Sequence, residues 1–185
     1  MKRKRSSNSL TEEFGHIKDF PFIVSGCLLG IGCRYDGGTC ASPGLIRVAS
    51  SVNLIPVCPE QLGGLSTPRP SASIAGGDGD DVLSGCARVV NKEGEDVTDA
   101  YKKGAEEVLR LVRLLGAGIA LLREKSPSCG LSTPYCEGKT GFGRGVTAAL
   151  LFSSGIRVFG ILPEEDFPTP DLLELLGGSL KDKPS

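Results

Sequence analysis

The sequence predicts an α/β fold: a Rossmann-like, three-layer single domain with a mostly parallel sheet. Short apolar runs of strand length alternate along the chain with segments of helical periodicity, and this alternation is typical of a parallel sheet with helices on both faces. The chain has 185 residues, which is enough for one domain with a buried core. The sequence shows no internal repeat and no sign of a second domain.

The two ends of the chain differ in composition from the middle. We expect residues 1–18 to form a flexible basic extension, residues 19–178 to form the folded domain, and residues 179–185 to fray. The basic start lacks the apolar core of a secretory signal, and no apolar run is long enough to cross a membrane. The net charge of −1 gives no overall attraction to nucleic acid. These features predict a cytoplasmic protein that does not bind membranes.

The first half of the domain is predicted to contain two buried strands, at residues 20–25 and 53–57, separated by a short helix that begins at Pro43. The prolines that follow favour an extended segment over residues 67–74. Residues 76–81 are rich in glycine and aspartate and are predicted to form a loop. A small hairpin is expected from residues 87–90 and 95–97.

The second half begins with the clearest helix of the chain, which we expect to be capped by Thr98 and to end at Leu115, before Gly116. Strands are predicted at residues 118–122 and 156–162. A glycine-rich loop lies between them and leads into a helix at residues 146–153, and a last helix is expected over residues 163–176.

Three predicted strands are each followed closely by a cysteine in a tight polar loop: Cys27, Cys58 and Cys129. Ligands of open parallel sheets bind beyond the carboxyl ends of the strands, so we expect these thiols to meet there. The chain has seven cysteines, one histidine and no Cys-x-x-Cys pair, which argues against a structural zinc site and a thioredoxin-type centre. The three thiols therefore either hold an iron–sulfur cluster or are incidental to an α/β nucleotide-binding domain. Cys86 and Cys136 are expected to pack as small apolar residues.

Several motifs together resemble the thiouracil desulfidase (TudS) family. The match spans roughly residues 20–160, in the family's order. Its motifs are residues 25–30 (SGCLLG), 33–37 (CRYDG), 57–60 (VCPE), 63–65 (GGL), 67–69 (TPR), 97–98 (VT), 125–130 (KSPSCG) and 145–151 (GVTAALL).

The resemblance implies a [4Fe-4S] cluster that is held by Cys27, Cys58 and Cys129 and leaves one iron open. It also implies an enzyme that replaces the sulfur of a thionated pyrimidine, such as 4-thiouracil, with oxygen from water and releases hydrogen sulfide. We expect a monomer that acts on a free base or nucleotide. A tRNA substrate is less expected, because relatives that act on tRNA carry a further RNA-binding domain. The alternative is a non-catalytic iron–sulfur module for redox sensing or sulfur trafficking.

Acid–base and charge-stabilising roles fall on residues within the matched motifs. Glu60 is the first candidate for proton transfer, although it could equally anchor the turn. Asp36 is the second carboxylate, unless it pairs with Arg34 or Arg69. Lys125 is a candidate for stabilising negative charge on the incoming oxygen.

Two further pairs of residues are predicted to contact substrate. Ser126 and Ser128 either hold the pyrimidine and its water or cap the loop backbone. Gly143 and Gly145, just before a helix, offer backbone N–H groups to a phosphate, for which Arg69 is also a candidate; the alternative is a plain turn. Cys33 lies near the first motif and is not assigned as a ligand.

Overall fold

The computed structural model describes residues 20–50, 52–132, 134–137, 139–165, 167 and 172. Its elements, in chain order, are β1 (Phe22–Ser25), a 3-10 turn (Gly26–Leu29), α1 (Pro43–Val48), β2 (Leu54–Val57), α2 (Pro59–Leu62), β3 (Ala72–Ala75), α3 (Gly79–Ser84), β4 (Arg88–Asn91), α4 (Thr98–Leu115), β5 (Ile119–Arg123), β6 (Tyr135–Cys136), β7 (Lys139–Thr140), α5 (Val146–Ser153) and β8 (Arg157–Ile161).

The central sheet is parallel throughout. Its strand order is β2–β1–β5–β8, and each neighbouring pair runs in the same direction. Pro56 lies within β2, at the edge of this sheet, where a missing N–H donor is tolerated. All four strands match predicted strands, so the expectation of a mostly parallel sheet is confirmed.

Helices cover both faces of the central sheet. Successive residues of a strand point to opposite faces. Accordingly Phe22 and Val24 pack in a cluster that includes Leu45 of α1, whereas Ile23 packs in a second cluster that includes Val108 of α4 and Leu151 of α5. The result is the three-layer arrangement that the sequence predicts.

A second, mixed sheet has the strand order β4–β3–β6–β7, and the sequence did not predict it. β3 pairs antiparallel with β4 and parallel with β6. The small hairpin expected from residues 87–90 and 95–97 is present in short form: Val90 and Asp96 form an antiparallel bridge, flanked by backbone hydrogen bonds from Asn91 to Glu95 and from Val97 to Val89. The other edge of β4 pairs with β3. β6 and β7 have two residues each, which is too short for a periodic pattern.

Two local predictions are wrong. Residues 76–81 are not all loop, because α3 begins at Gly79 after a capping box in which Asp78 and Asp81 each accept a hydrogen bond from the other's backbone N–H. Thr98 does not cap α4. Its hydroxyl accepts a hydrogen bond from the Val89 N–H, and Asp96 accepts one from the Thr98 N–H.

The predicted extension at residues 1–18 and the frayed end at residues 179–185 lie outside the described residues, as does most of the helix predicted at 163–176. Within the part of the chain that the structure describes, no helix has the length and apolar character needed to cross a membrane.

Candidate active site

A cavity of about 350 Å³ opens at the carboxyl ends of β1, β2 and β5. Its wall includes the three strand-end cysteines, Cys27, Cys58 and Cys129, together with a fourth, Cys33. Cys27, Cys33 and Cys129 are buried and Cys58 is partly buried. The expectation that Cys27, Cys58 and Cys129 meet at one edge of the sheet is thus confirmed. Cys33 was not assigned as a ligand from the sequence.

Backbone hydrogen bonds position each strand-end thiol. Cys27 lies in the 3-10 turn after β1, and its carbonyl accepts hydrogen bonds from Gly30 and Cys40. Cys58 lies directly after β2 at the N-terminal cap position of α2. Cys129 lies in the loop after β5, and its N–H donates to the hydroxyl oxygen of Ser126.

The surroundings of Cys58 and Cys129 raise the pKa values of their thiols. A hydrogen bond with Cys33, together with burial, raises the pKa of Cys58 well above its usual range. Burial raises the pKa of Cys129 to about 12, although the Ser25 hydroxyl, which hydrogen-bonds its sulfur, opposes this rise. The Cys58 and Cys129 thiols are therefore protonated near neutral pH, so binding a metal must displace their protons.

The donors in the cavity fit an iron–sulfur cluster better than a single metal ion. Among the described residues, no three His, Cys, Asp or Glu side chains are grouped so that they could hold one ion. Thiolates are the ordinary ligands of iron–sulfur clusters, in which each cysteine binds a different iron and the sulfurs need not converge on one point. Several thiols spread around one cavity wall match that requirement.

Glu60 and Arg69 form a mostly buried ion pair on the cavity wall. The Arg69 Nε lies 2.6 Å from Oε2 of Glu60. The other guanidinium nitrogens of Arg69 donate to the carbonyls of Ser66 and Cys33 and to the Thr67 hydroxyl. Four of the five N–H donors of Arg69 therefore have protein acceptors, which leaves little of the guanidinium for a phosphate, and the phosphate contact stays a prediction.

Tyr101 also lines the cavity, beside Glu60, and was not among the predicted site residues. Only 2% of its surface is exposed. Burial, and then the neighbouring Glu60 carboxylate, raise the pKa of its hydroxyl well above the usual value. Tyr101 lies on the buried face of α4, as the core residues of that helix do, so helical spacing could not identify it as a site residue.

Arg123 and Lys125 add positive charge to the cavity wall. Lys125 has a positive φ of 56° at the start of the loop that carries Cys129, and its exposed side chain remains a candidate for contacting substrate. The Arg123 Nε is buried and has no hydrogen-bond partner within the described residues. An unpaired buried donor beside a cavity is costly and is relieved by a bound acceptor.

The two predicted serines hold the backbone of the Cys129 loop. The Ser126 hydroxyl oxygen accepts the N–H groups of Ser128 and Cys129, and Ser126 also lines the cavity. Ser128 is fully buried, shares a hydrogen bond of 2.8 Å with Thr147 of α5, and is not part of the cavity wall. The capping alternative therefore describes Ser126, whose hydroxyl accepts the two backbone N–H groups, while its place on the cavity wall keeps a substrate contact as a prediction. The Ser128 hydroxyl instead links the loop to α5 and does not reach the cavity.

Gly143 and Gly145 do not have the predicted phosphate-binding geometry. The backbone N–H groups at the start of α5 donate to carbonyls of the Cys129 loop: Gly145 to Gly130, Val146 to Pro127, and Thr147 to Ser128. A side chain at Gly145 would collide with the Ser128 carbonyl, and one at Gly143 would collide with Asp78. These glycines are needed for close packing, and neither lines the cavity.

Asp36 lies outside the cavity wall and pairs with Arg34 at 3.0 Å, one of the two partners left open by the sequence. The hydrogen bonds from Arg34 lower the pKa of Asp36 to about 2, so it is ionised at neutral pH. Its predicted part in proton transfer is not supported.

Two cysteines outside the site were expected to pack as small apolar residues. Cys136 lies against a core cluster, but Cys86 is exposed.

Comparison with known proteins gives consistent results. The family model of 2-thiouracil desulfurase matches residues 22–161. The uncharacterized protein YbbK of Bacillus subtilis (strain 168) is 46% identical over 139 residues, which cover 74% of this chain and 92% of YbbK. A solved structure of the [4Fe-4S]-dependent thiouracil desulfidase TudS matches with a TM-score of 0.67 and 38% identity, covering 87% of this chain and 97% of that one. The chain therefore belongs to the 2-thiouracil desulfurase family.

Proposed function

We propose that this protein is a [4Fe-4S]-dependent desulfidase that converts a thionated pyrimidine and water into the oxo pyrimidine and hydrogen sulfide. The observation that carries the proposal is the meeting of Cys27, Cys58 and Cys129 in one cavity that also contains Glu60. The family match and the [4Fe-4S]-dependent structural relative support the same assignment.

Cys27, Cys58 and Cys129 would hold the cluster, each through its thiolate. The bound cluster, with one iron free of protein ligands, would supply a Lewis acid for the soft thiocarbonyl sulfur. Cys33 and Glu60 lie beside these ligands and remain available for other roles.

Glu60 is placed for proton transfer during the exchange of sulfur for oxygen. Water must lose a proton as it adds to the ring carbon, and the departing sulfur must gain protons to leave as hydrogen sulfide. A carboxylate fixed by Arg69 can accept a proton from the water and pass it to the departing sulfur. Both protons of the water end on the sulfide, and because oxygen replaces sulfur at the same oxidation level, the reaction needs no oxidant or reductant.

Lys125 is the candidate for stabilising negative charge on the added oxygen, because it is an exposed, positively charged residue that lines the same cavity. Ser126 is held in place by two backbone N–H donors and is the candidate for orienting the pyrimidine or the water. The proposed substrate is a small thiopyrimidine, either a free base or a nucleotide, and the protein is expected to act as a cytoplasmic monomer.

The test is sulfide release by protein purified and assayed without oxygen. We would incubate the cluster-loaded protein with 4-thiouracil, 2-thiouracil or 4-thiouridine monophosphate and measure hydrogen sulfide and the oxo product together. We expect the two products in equal amounts for at least one substrate. A protein that binds iron and changes redox state reversibly, but releases no sulfide from any of these compounds, would instead be the redox module.

A further inference from the structure

Cys33 is the thiol of the cavity that the proposed function leaves without a role. It follows no strand and lies in the loop between the 3-10 turn and α1. Even so, only 3% of its surface is exposed, and it lines the same cavity as the three predicted ligands. A buried thiol at this place needs an explanation beyond packing, because its neighbours are other sulfurs.

The contacts of Cys33 join it to two of the predicted ligands. The Cys33 thiol lies so near the other two that Cys27 raises the pKa of Cys33, and Cys33 raises the pKa of Cys58. The Cys58 thiol also lies 3.5 Å from the Cys33 carbonyl. A side chain built at Gly26 would contact the Cys33 sulfur at 3.5 Å, which shows how closely the turn that carries Cys27 approaches it.

The loop that carries Cys33 is held by its backbone. The Cys33 N–H donates to the Ile31 carbonyl, and the Cys33 carbonyl accepts a hydrogen bond of 3.1 Å from Arg69. These contacts do not involve the thiol, so the loop does not depend on the sulfur atom for its conformation. The thiol is therefore available to donate a hydrogen bond to the sulfur of Cys27 or Cys58.

We propose that Cys33 is a positioning residue of the cluster site, whose S–H group donates a hydrogen bond to the ligand sulfur of Cys27 or Cys58. This inference rests on the proposed function, because it needs those two cysteines to be cluster ligands. Hydrogen bonds to the sulfurs are among the features that set the reduction potential of an iron–sulfur cluster. Donation from Cys33 withdraws electron density from the ligand, raises the reduction potential and makes the cluster harder to oxidise.

A role for Cys33 as fourth ligand fits these contacts less well. In a site with four cysteines each sulfur binds its own iron, so the cluster keeps the ligand sulfurs apart. Cys33 instead packs between two of the predicted ligands: its sulfur lies against Gly26, which precedes Cys27, and its carbonyl contacts the Cys58 thiol. The same test separates the two roles, since a ligand is needed to hold iron and a hydrogen-bond donor is not.

The test compares Cys33→Ala and Cys33→Ser with the parent protein, all loaded without oxygen. Cys86→Ala is the matched control, because Cys86 is exposed and lies outside the cavity. We would measure iron per chain, the reduction potential by titration, and the decay of the cluster absorbance in air. Thermal unfolding of the cluster-free variants checks that each one folds.

We expect all four proteins to bind the same amount of iron. Cys33→Ala should shift the reduction potential to more negative values and shorten the half-life in air roughly twofold or more, as for the loss of one weak hydrogen bond. Cys33→Ser keeps a hydrogen-bond donor, so its reduction potential and its half-life in air should lie close to those of the parent. Cys86→Ala should match the parent in both measurements.

Two results would overturn the inference. If Cys33→Ala has the potential and half-life of the parent, the hydrogen bond has no effect on the cluster. If Cys33→Ala binds less iron than Cys86→Ala, Cys33 is a ligand. Neither measurement depends on turnover, so an iron-loaded parent that releases no sulfide would refute the proposed function without affecting this result. A parent that binds no iron would refute both.

Discussion

Two side chains from different segments flank the carboxylate of Glu60. Arg69 holds it at 2.6 Å, and the buried Tyr101 lies beside it. Arg69 thus fixes the carboxylate in place, and Glu60 also lines the cavity, as a proton-transfer group requires.

Replacing Glu60→Gln tests that role. The amide can still accept a hydrogen bond from Arg69 but cannot take up a proton, so the cluster should remain and kcat should fall about 10²- to 10⁴-fold. Steady-state sulfide release gives the rate, and iron content serves as the control. An unchanged rate with a full cluster would remove Glu60 from the mechanism.

Asp36 provides the contrasting case of a carboxylate committed to an ion pair. Arg34 lowers its pKa from 3.8 to about 2, so the stabilisation that this carboxylate provides is complete above 3.8 and is lost as the pH falls through about 2. Asp36→Asn should therefore lower the free energy of unfolding at pH 7, by an amount that shrinks as the pH drops below 3.8. Denaturant unfolding at several pH values measures the difference in the free energy of unfolding between the parent and Asp36→Asn. A difference that stays constant down to pH 2 would contradict the prediction.

At the scale of elements, α2 and α4 are packed so closely that only glycine fits between them. A side chain at Gly63 would collide with the Ala100 carbonyl, and one at Gly104 with the Pro59 carbonyl. This contact places Tyr101 of α4 beside Glu60 of α2, next to Cys58.

Gly104→Ala should force the two helices apart. We expect a loss of about 1–3 kcal/mol in the free energy of unfolding, typical of overpacking, together with weaker retention of the cluster. Gly118→Ala is the control, since nothing lies within 4 Å of a side chain there, and it should change stability by no more than about 0.5 kcal/mol. Equal stability of the two variants in denaturant unfolding would show that the helix contact can relax.

The elements also show what the sequence could predict. The parallel strands and α4 were predicted because their apolar patterns are long and regular, and the parallel sheet then predicted where Cys27, Cys58 and Cys129 would meet. α3 was missed because its capping box, D-G-D-D, has the composition of a turn. Tyr101 was missed because a buried helix face carries no pattern that separates a site residue from a packed one, whereas Cys33 was noticed in a motif but not assigned as a ligand.

For the whole molecule, the apolar clusters on the two faces of the central sheet lie apart from most of the cavity wall, although Val57 and Cys129 belong to both. The protein without its cluster should therefore keep its secondary structure. It should nevertheless unfold at a lower temperature, because the cluster binds the folded chain and stabilises it. Calorimetry without oxygen, before and after removal of iron by a chelator, measures the change in Tm. Identical Tm values would mean that the folded chain holds no cluster.

The central claim is that three strand-end cysteines hold the cluster. Its most direct test is the iron content of Cys27→Ala, Cys58→Ala and Cys129→Ala, purified without oxygen beside the exposed-site control Cys86→Ala. We predict about four irons per chain in the control and a loss of most of the iron in each of the other three variants. A full complement of iron in any of those three would contradict the account.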